Sequence, residues 1–148
     1  HVIDENHLVE IIRKLKRPYV RYTRANEKNV RKADCLIIDC FGLLSSIYRY
    51  GEIAYIGGGF GVGIHNTLEA AVYGIPVIFG PKYQKFQEAI QLLEAKGAFS
   101  VKDYEELKTL LDRMLTDEVF LRESGMNASN YVTGNAGATD KIMSMINF

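Results

Sequence analysis

The segment Gly57-Gly58-Gly59-Phe60-Gly61-Val62-Gly63-Ile64-His65-Asn66-Thr67-Leu68-Glu69 carries the densest chemistry of this 148-residue chain. Glycine-rich backbone ahead of a helix exposes N–H donors at the positive end of the helix dipole, a ready anion site. Gly58 and Gly59 are the candidate backbone contacts. No register of the segment gives the dinucleotide fingerprint G-x-G-x-x-G. It is not a P-loop either: Gly58 and Gly63 have the right separation, but Ile64 stands where lysine is required. His65, Asn66, Thr67, Leu68 and Glu69 share the mouth of the expected helix. His65 can donate to a phosphate or a carboxylate, or it can seat the loop. Asn66 with Glu69 three residues on fits a capping box. Glu69 can instead accept hydrogen bonds from the two hydroxyls of a ribose, and the spacing does not choose between these roles.

Two further turns are candidates. In Asp39-Cys40-Phe41-Gly42-Leu43-Leu44, Gly42 permits close backbone approach, and the uncapped amides of 42–44 can hold a phosphate or a base edge. The alternative is an ordinary strand-to-helix turn. In Gly80-Pro81-Lys82-Tyr83-Gln84-Lys85-Phe86, Lys82 and Lys85 can meet an anion, and Phe86 is expected to pack in the core. Other chemistry is not expected. The histidines, His1, His7 and His65, have no metal-ligand spacing. Cys35 and Cys40 are not a C-x-x-C pair and are expected to pack in the core, and no G-x-S-x-G occurs.

The elements that must position these turns alternate. Leu8, Ile11, Ile12 and Leu15 predict an amphipathic helix over 5–17, stopped by Pro18. Strands are expected at Tyr19–Tyr22, Cys35–Asp39, Ile53–Ile56, Pro76–Phe79 and Ala98–Val101. The run at Cys35–Asp39 is continuously apolar until it ends in the polar Asp39, as in a buried parallel strand. Helices are expected at Leu43–Tyr50, closed by Gly51, at Asn66–Tyr73, closed by Gly74, and at Phe86–Lys96, closed by Gly97. Tyr104–Leu115, Glu118–Val132 and Ala136–Ile146 read as three closing helices. Short apolar strands alternating with helices predict βαβ units and a parallel sheet covered on both faces. In such sheets ligands bind beyond the carboxyl ends of the strands, where the three candidate turns lie.

Composition narrows the class. The chain is 47% hydrophobic and 24% charged, within the range of globular chains. Eighteen basic residues balance eighteen acidic ones, which argues against a general nucleic-acid binder. The charge is unevenly spread: residues 1–32 hold nine of the basic residues against four acidic ones. That segment is most simply a solvated face, though it can attract an anionic substrate or lipid headgroups. Eight of the 13 glycines fall between Gly51 and Gly80. Two cysteines in one stretch are no disulfide framework, so a reducing compartment is expected. No apolar run approaches the ~20 residues that span a bilayer. The opening residue is His1 rather than Met, which reads as a piece of something longer.

At Gly57–Ala70 the chain resembles the Kdo transferases of lipopolysaccharide synthesis, which carry a G-G-S/G-F…G-H-N-x-L-E-x-A motif. Gly74–Pro81 resembles their G-x-P-V-x-x-G-P stretch, and Asn135–Ala138 their N-x-G-A signature. The resemblance covers nearly the whole chain. It departs at Leu43, where that family often has glutamate, at Ile64, where it often has a second glycine, and at Ala70, where it often has proline. The resemblance implies that 1–148 is a single Rossmann-like domain, a three-layer α/β/α unit with a parallel sheet. It would be the C-terminal, donor-nucleotide half of a GT-B glycosyltransferase. Such enzymes move 3-deoxy-D-manno-octulosonic acid (Kdo) from CMP-Kdo to a lipid A precursor. By the same resemblance, CMP is held around Phe41–Leu43 and Asn66–Glu69. The catalytic base and the acceptor site belong to the N-terminal half, so this chain is expected to be soluble and inactive by itself. No cofactor and no metal are expected, and nucleic acid is not an expected partner. The whole protein is placed peripherally on the cytoplasmic face of a Gram-negative inner membrane. The alternatives are another GT-B enzyme, a UDP-sugar transferase or an epimerase, and a flavodoxin-like binding module without enzymatic activity.

Overall fold

The structure is a computed structural model that describes residues 4–146; His1 lies outside them. The chain divides into two compact units, His1–Ser46 and Ile47–Phe148.

The first unit opens with α1, Glu5–Lys14. Asp4 caps it by accepting from the His7 N–H at 2.8 Å, satisfying one of the orphan donors of the first turn. The helix stops at Lys14 rather than at 17. Leu15 is already extended, and Arg17 precedes Pro18, whose ring disfavours helical backbone at the residue before it. Strand β1, Tyr19–Arg21, pairs in parallel with β2, Cys35–Ile37, in the register Tyr19↔Cys35. Tyr22–Arg24 is a 3-10 turn, not the end of a strand. Between the strands lies α2, Glu27–Val30, which begins with a capping box of Asn26 and Asn29. It is one polar turn with no apolar period, so no hydrophobic spacing signals it. β2 is not the buried strand expected at Cys35–Asp39. Leu36 is 49% exposed, and β1 is the only strand hydrogen-bonded to β2 among the described residues. Cys35 and Cys40 are free and half-buried rather than core. Instead of one helix over Leu43–Tyr50 there is a turn of helix, α3, Leu44–Ile47, and then a 3-10 turn, Tyr48–Tyr50. Gly51 closes it through an N–H bond to the Tyr48 carbonyl in extended rather than left-handed backbone.

The second unit holds three parallel strands in the order β3-β4-β5: Ala54–Tyr55, Val77–Phe79 and Ala98–Ser100. All three residues of the central strand β4 are completely buried. Their alternation sends them to two layers. Val77 and Phe79 join a core cluster with Ile56, Ile64, Ala70 and Leu92. Ile78 points the other way, to Val101 and Met114. The first layer is supplied by α4 (Leu68–Ala71), α5 (Gln87–Glu94) and part of α7 (Glu118–Asn135). The second is supplied by α6 (Tyr104–Thr116) and the start of α7. A last helix, α8, spans Ala138–Met145. Parallel strands with helices on both faces give the expected Rossmann-like α/β class, with its strand pairing in two sheets.

Small residues on α7 allow the close packing. A Cβ on Gly125 would collide with the Gly74 carbonyl, and one on Gly97 would stand 2.6 Å from the Ala128 backbone. Gly74 has φ +71° and closes α4, as a glycine C-terminal residue does. After α5 the left-handed residue is Lys96, φ +59°, so Gly97 is needed for its missing side chain rather than for its backbone freedom.

Candidate functional site

The glycine segment does not run straight into a helix. It folds back on itself: Gly58 and Ile64 form an antiparallel bridge. The Gly59 N–H is directed at the Val62 and Gly63 carbonyls, at 3.2 and 3.3 Å, and the His65 N–H at the Gly57 carbonyl, at 3.3 Å. Some of the donors expected to face an anion therefore close the loop. Helix α4 starts only at Leu68. Its single turn has no extended macrodipole to offer.

Packing accounts for the glycines. Gly59 has φ +80°, and a Cβ there would lie 2.8 Å from Gly80 Cα. The reverse approach holds too: a Cβ on Gly80 would lie 2.7 Å from the Gly58 carbonyl oxygen. The loop after β3 thus presses its backbone on the loop after β4. Gly63 is covered by the Phe86 ring, so Phe86 does pack against the core as expected. Gly61 is different: nothing lies within 4 Å of where its Cβ would be.

Lys82 is tied to this loop. Its N–H donates to the Gly59 carbonyl at 2.9 Å, and its Nζ donates to the Gly61 carbonyl at 3.2 Å. With Lys85, Gly61, Gly63 and Phe86 it lines a cleft of about 310 Å³. A neighbouring cleft of about 420 Å³ is lined by Gly58, Ile64, His65 and Phe86. The structure therefore brings Gly58, Gly59, His65, Lys82 and Lys85 to one loop cluster. A larger hollow of about 600 Å³ lies between β5 and α6, and no candidate residue lines it.

Beyond the loop, Asn66 Oδ1 accepts from the Leu68 N–H at 3.0 Å, and Asn66 Nδ2 donates to Glu69 Oε1 at 3.0 Å. This is not the capping box the spacing allows. Glu69 binds the asparagine side chain rather than a backbone N–H, and the capping residue just before α4 is Thr67, not Asn66. The Asn66 amide therefore fixes one carboxylate oxygen of Glu69. Burial raises the Tyr48 phenol pKa, and the nearby Glu69 charge raises it further. Thr67 is 1% exposed, and its hydroxyl has no hydrogen-bond partner. A buried hydroxyl of this kind calls for a partner, such as a water or a ligand atom. Leu68 is half-buried and packs against the core.

Phe41, Gly42 and Leu43 belong to the first unit. Phe41 is 75% exposed. Gly42 takes φ +85° with nothing near its Cβ position, and the Leu43 carbonyl accepts from the Ser46 hydroxyl at 3.0 Å. The turn is anchored by Asp39, whose side chain is fully buried. Asp39 accepts from the Thr23 N–H at 2.9 Å, the Thr23 hydroxyl at 2.6 Å and Arg21 Nε at 2.7 Å. Arg21 reaches on to Glu5 through both terminal nitrogens, at 3.2 and 2.9 Å. The Thr23 hydrogen bonds, followed by Arg21, hold the Asp39 carboxyl well below the usual carboxylate range. Bonds to Glu5 and Asp39 raise Arg21 further above its ordinary value. Sequence reasoning misses Arg21, Thr23 and Glu5. The available signal was opposite charges at the carboxyl ends of two adjacent parallel strands.

Among the described residues, no group of three or more His, Cys, Asp or Glu is placed to hold a metal ion, and no helix is long and apolar enough to cross a membrane.

No family model matches the chain. It is similar to proteins described as 3-deoxy-D-manno-octulosonic acid transferases. With that of Aquifex aeolicus it shares 42% identity over 87 residues, 57% of this chain and 25% of the relative. With that of Rickettsia felis it shares 32% over 124 residues, 82% of this chain and 27% of the relative. With that of Chlamydia muridarum it shares 32% over 96 residues, 64% of this chain and 22% of the relative. The matched part thus spans about a quarter of the length of these relatives. Among solved structures it has the fold of the C-terminal CMP-Kdo binding domain of WaaA from Acinetobacter baumannii. The TM-score is 0.74 at 19% identity, covering 86% of this chain and 67% of that one. Over the segment it spans, the chain belongs to the 3-deoxy-D-manno-octulosonic acid transferase family.

Proposed function

We propose that the chain is the donor-binding part of a GT-B glycosyltransferase that moves Kdo from CMP-Kdo to a lipid A precursor. The observation that carries the reading is the mouth of α4. There the buried, unpartnered Thr67 hydroxyl follows Asn66 in the chain, and the Asn66 amide fixes Oε1 of the Glu69 carboxylate. A fixed carboxylate with a second oxygen to offer suits the paired hydroxyls of a ribose. The Gly61 edge of the loop, with Lys82 and Lys85, suits the phosphate. Cationic and N–H donors placed in advance stabilise the charge that develops on a departing CMP phosphate. No metal or cofactor enters this scheme. The acceptor site and the general base come from the remainder of the full protein. The whole enzyme works at the cytoplasmic face of a Gram-negative inner membrane, where its lipid acceptor is embedded. The name of the A. baumannii domain and the names of the sequence relatives support the choice of donor.

The test is calorimetric titration of the chain with CMP, UMP and UDP, repeated on Glu69→Gln. CMP should bind in preference to both uridine nucleotides. Glu69→Gln should weaken CMP by about 1.5–3 kcal/mol, the worth of a hydrogen bond to a charged group, with melting unchanged. Preference for UMP or UDP would move the chain to another GT-B activity. A fall in melting temperature at unchanged CMP affinity would make Glu69 a purely structural residue.

A further inference from the structure

We propose that the edge of the first unit opposite the Asp39 turn is a docking surface for an anionic lipid bilayer. β1 and β2 are parallel and in register from Tyr19↔Cys35. The residues just before the two strands therefore emerge at one edge of the sheet. Backbone and side chains tie them together there. The Asp34 and Cys35 N–H groups both donate to the Pro18 carbonyl, at 2.9 and 3.1 Å, and Arg17 pairs with Asp34 at 3.6 Å. Helix α1 ends at Lys14, a few residues before β1 begins at Tyr19, so its last turn reaches the same edge. The chain leaving α2 returns there as well, through Arg31 and Lys32, before β2 begins at Cys35.

This edge collects Arg13, Lys14, Lys16, Arg17, Arg31 and Lys32, all exposed. Two acidic residues stand against these six: Asp34, engaged by Arg17, and Glu10, one helical turn before Arg13 and Lys14 on α1. A chain with zero net charge thus places six of its eighteen basic residues along one edge. Clusters of about four to eight Lys or Arg are the electrostatic footprint of anionic lipid recognition. Apolar groups are interleaved with the charges: Tyr19 is 41% exposed and Val30 48% exposed. Long basic side chains reach headgroup phosphates while an aromatic and an aliphatic side chain enter the interface below them. A polynucleotide gives the aliphatic group nothing to do, so the bilayer is the better complement. The proposal takes its biological setting from the membrane-side reading above. Vesicle binding tests it without donor or acceptor, so it can fail while CMP binding holds, and the reverse.

The test is co-sedimentation of the full chain with phosphatidylcholine vesicles and with vesicles containing phosphatidylglycerol. We expect binding to the anionic vesicles only, lost in high salt. Lys16→Glu with Lys32→Glu should lower the partition coefficient about tenfold or more. The charge-matched control, Lys102→Glu with Arg122→Glu on the second unit, should leave it within about twofold. Circular dichroism confirms that both double variants are folded. Equal loss in the two double variants would show only diffuse attraction and overturn the proposal. So would binding to neutral vesicles at the same strength, no binding to either kind, or a preference for a single-stranded oligonucleotide over the anionic vesicles.

Discussion

Asp39 shows how one residue fixes a turn that side-chain chemistry alone does not explain. Its buried carboxylate takes three hydrogen bonds from Thr23 and Arg21, and the turn carrying Phe41, Gly42 and Leu43 follows directly. The carboxyl is held below its ordinary range, whereas in the unfolded chain it titrates at about 3.9. A carboxylate with a lowered folded-state value contributes its full stability above the unfolded value. It loses that contribution as pH falls below it, because the unfolded state then binds more protons. Asp39→Asn should therefore melt several degrees below the parent chain at pH 7, and the gap should narrow steadily as pH drops below about 4. Melting curves over pH 2–7 check this, and a gap that stays constant would mean the carboxylate contributes through shape rather than charge.

At the scale of elements, the loops after β3 and β4 form one packed unit, and the glycines divide by role. Gly59 combines φ +80° with a backbone neighbour 2.8 Å from its Cβ position. Gly61 has open space. Gly59→Ala should cost about 2–3 kcal/mol through left-handed strain and overpacking. Gly61→Ala should stay within about 0.5 kcal/mol of the parent, as surface substitutions do. Denaturant titrations of the two variants measure this. If Gly59→Ala were the neutral one, the contact with Gly80 would not be what requires glycine. The same pair sorts structure from binding, since an affinity loss at Gly61→Ala with intact stability would reflect the approach of a ligand to the loop.

At the scale of the whole molecule, the two units differ in core. Among the described residues of the first, Leu8 and Val20 are the buried hydrophobic side chains, whereas the second has two clusters around a fully buried β4. Local opening is easiest where few apolar side chains are buried. Native-state hydrogen exchange should show β1 and β2 amides exchanging well before those of β4. Equal protection in the two sheets would mean that the chain opens as one cooperative body.

Much of this was legible in the residues themselves. The alternation of short apolar strands with helices was enough for the α/β class and the parallel pairing, because periodicity and turn residues are local properties. The same holds for the candidate turns, since they lie where strands of such a sheet end. Asn66 and Glu69 were visible as partners through their spacing of three. What the spacing left open was which atoms meet, and tertiary structure decided that: Glu69 faces the Asn66 side chain, not a backbone N–H. Tertiary structure also decided why glycine stands at 59 and 80, because the constraint is a contact between two loops 21 positions apart. The ties among Glu5, Arg21, Thr23 and Asp39 were invisible for the same reason. Four residues spread over three elements and a turn become neighbours only when β1 lies beside β2. Periodicity can assign a residue to a face, but only the folded chain determines which other residue it finds there.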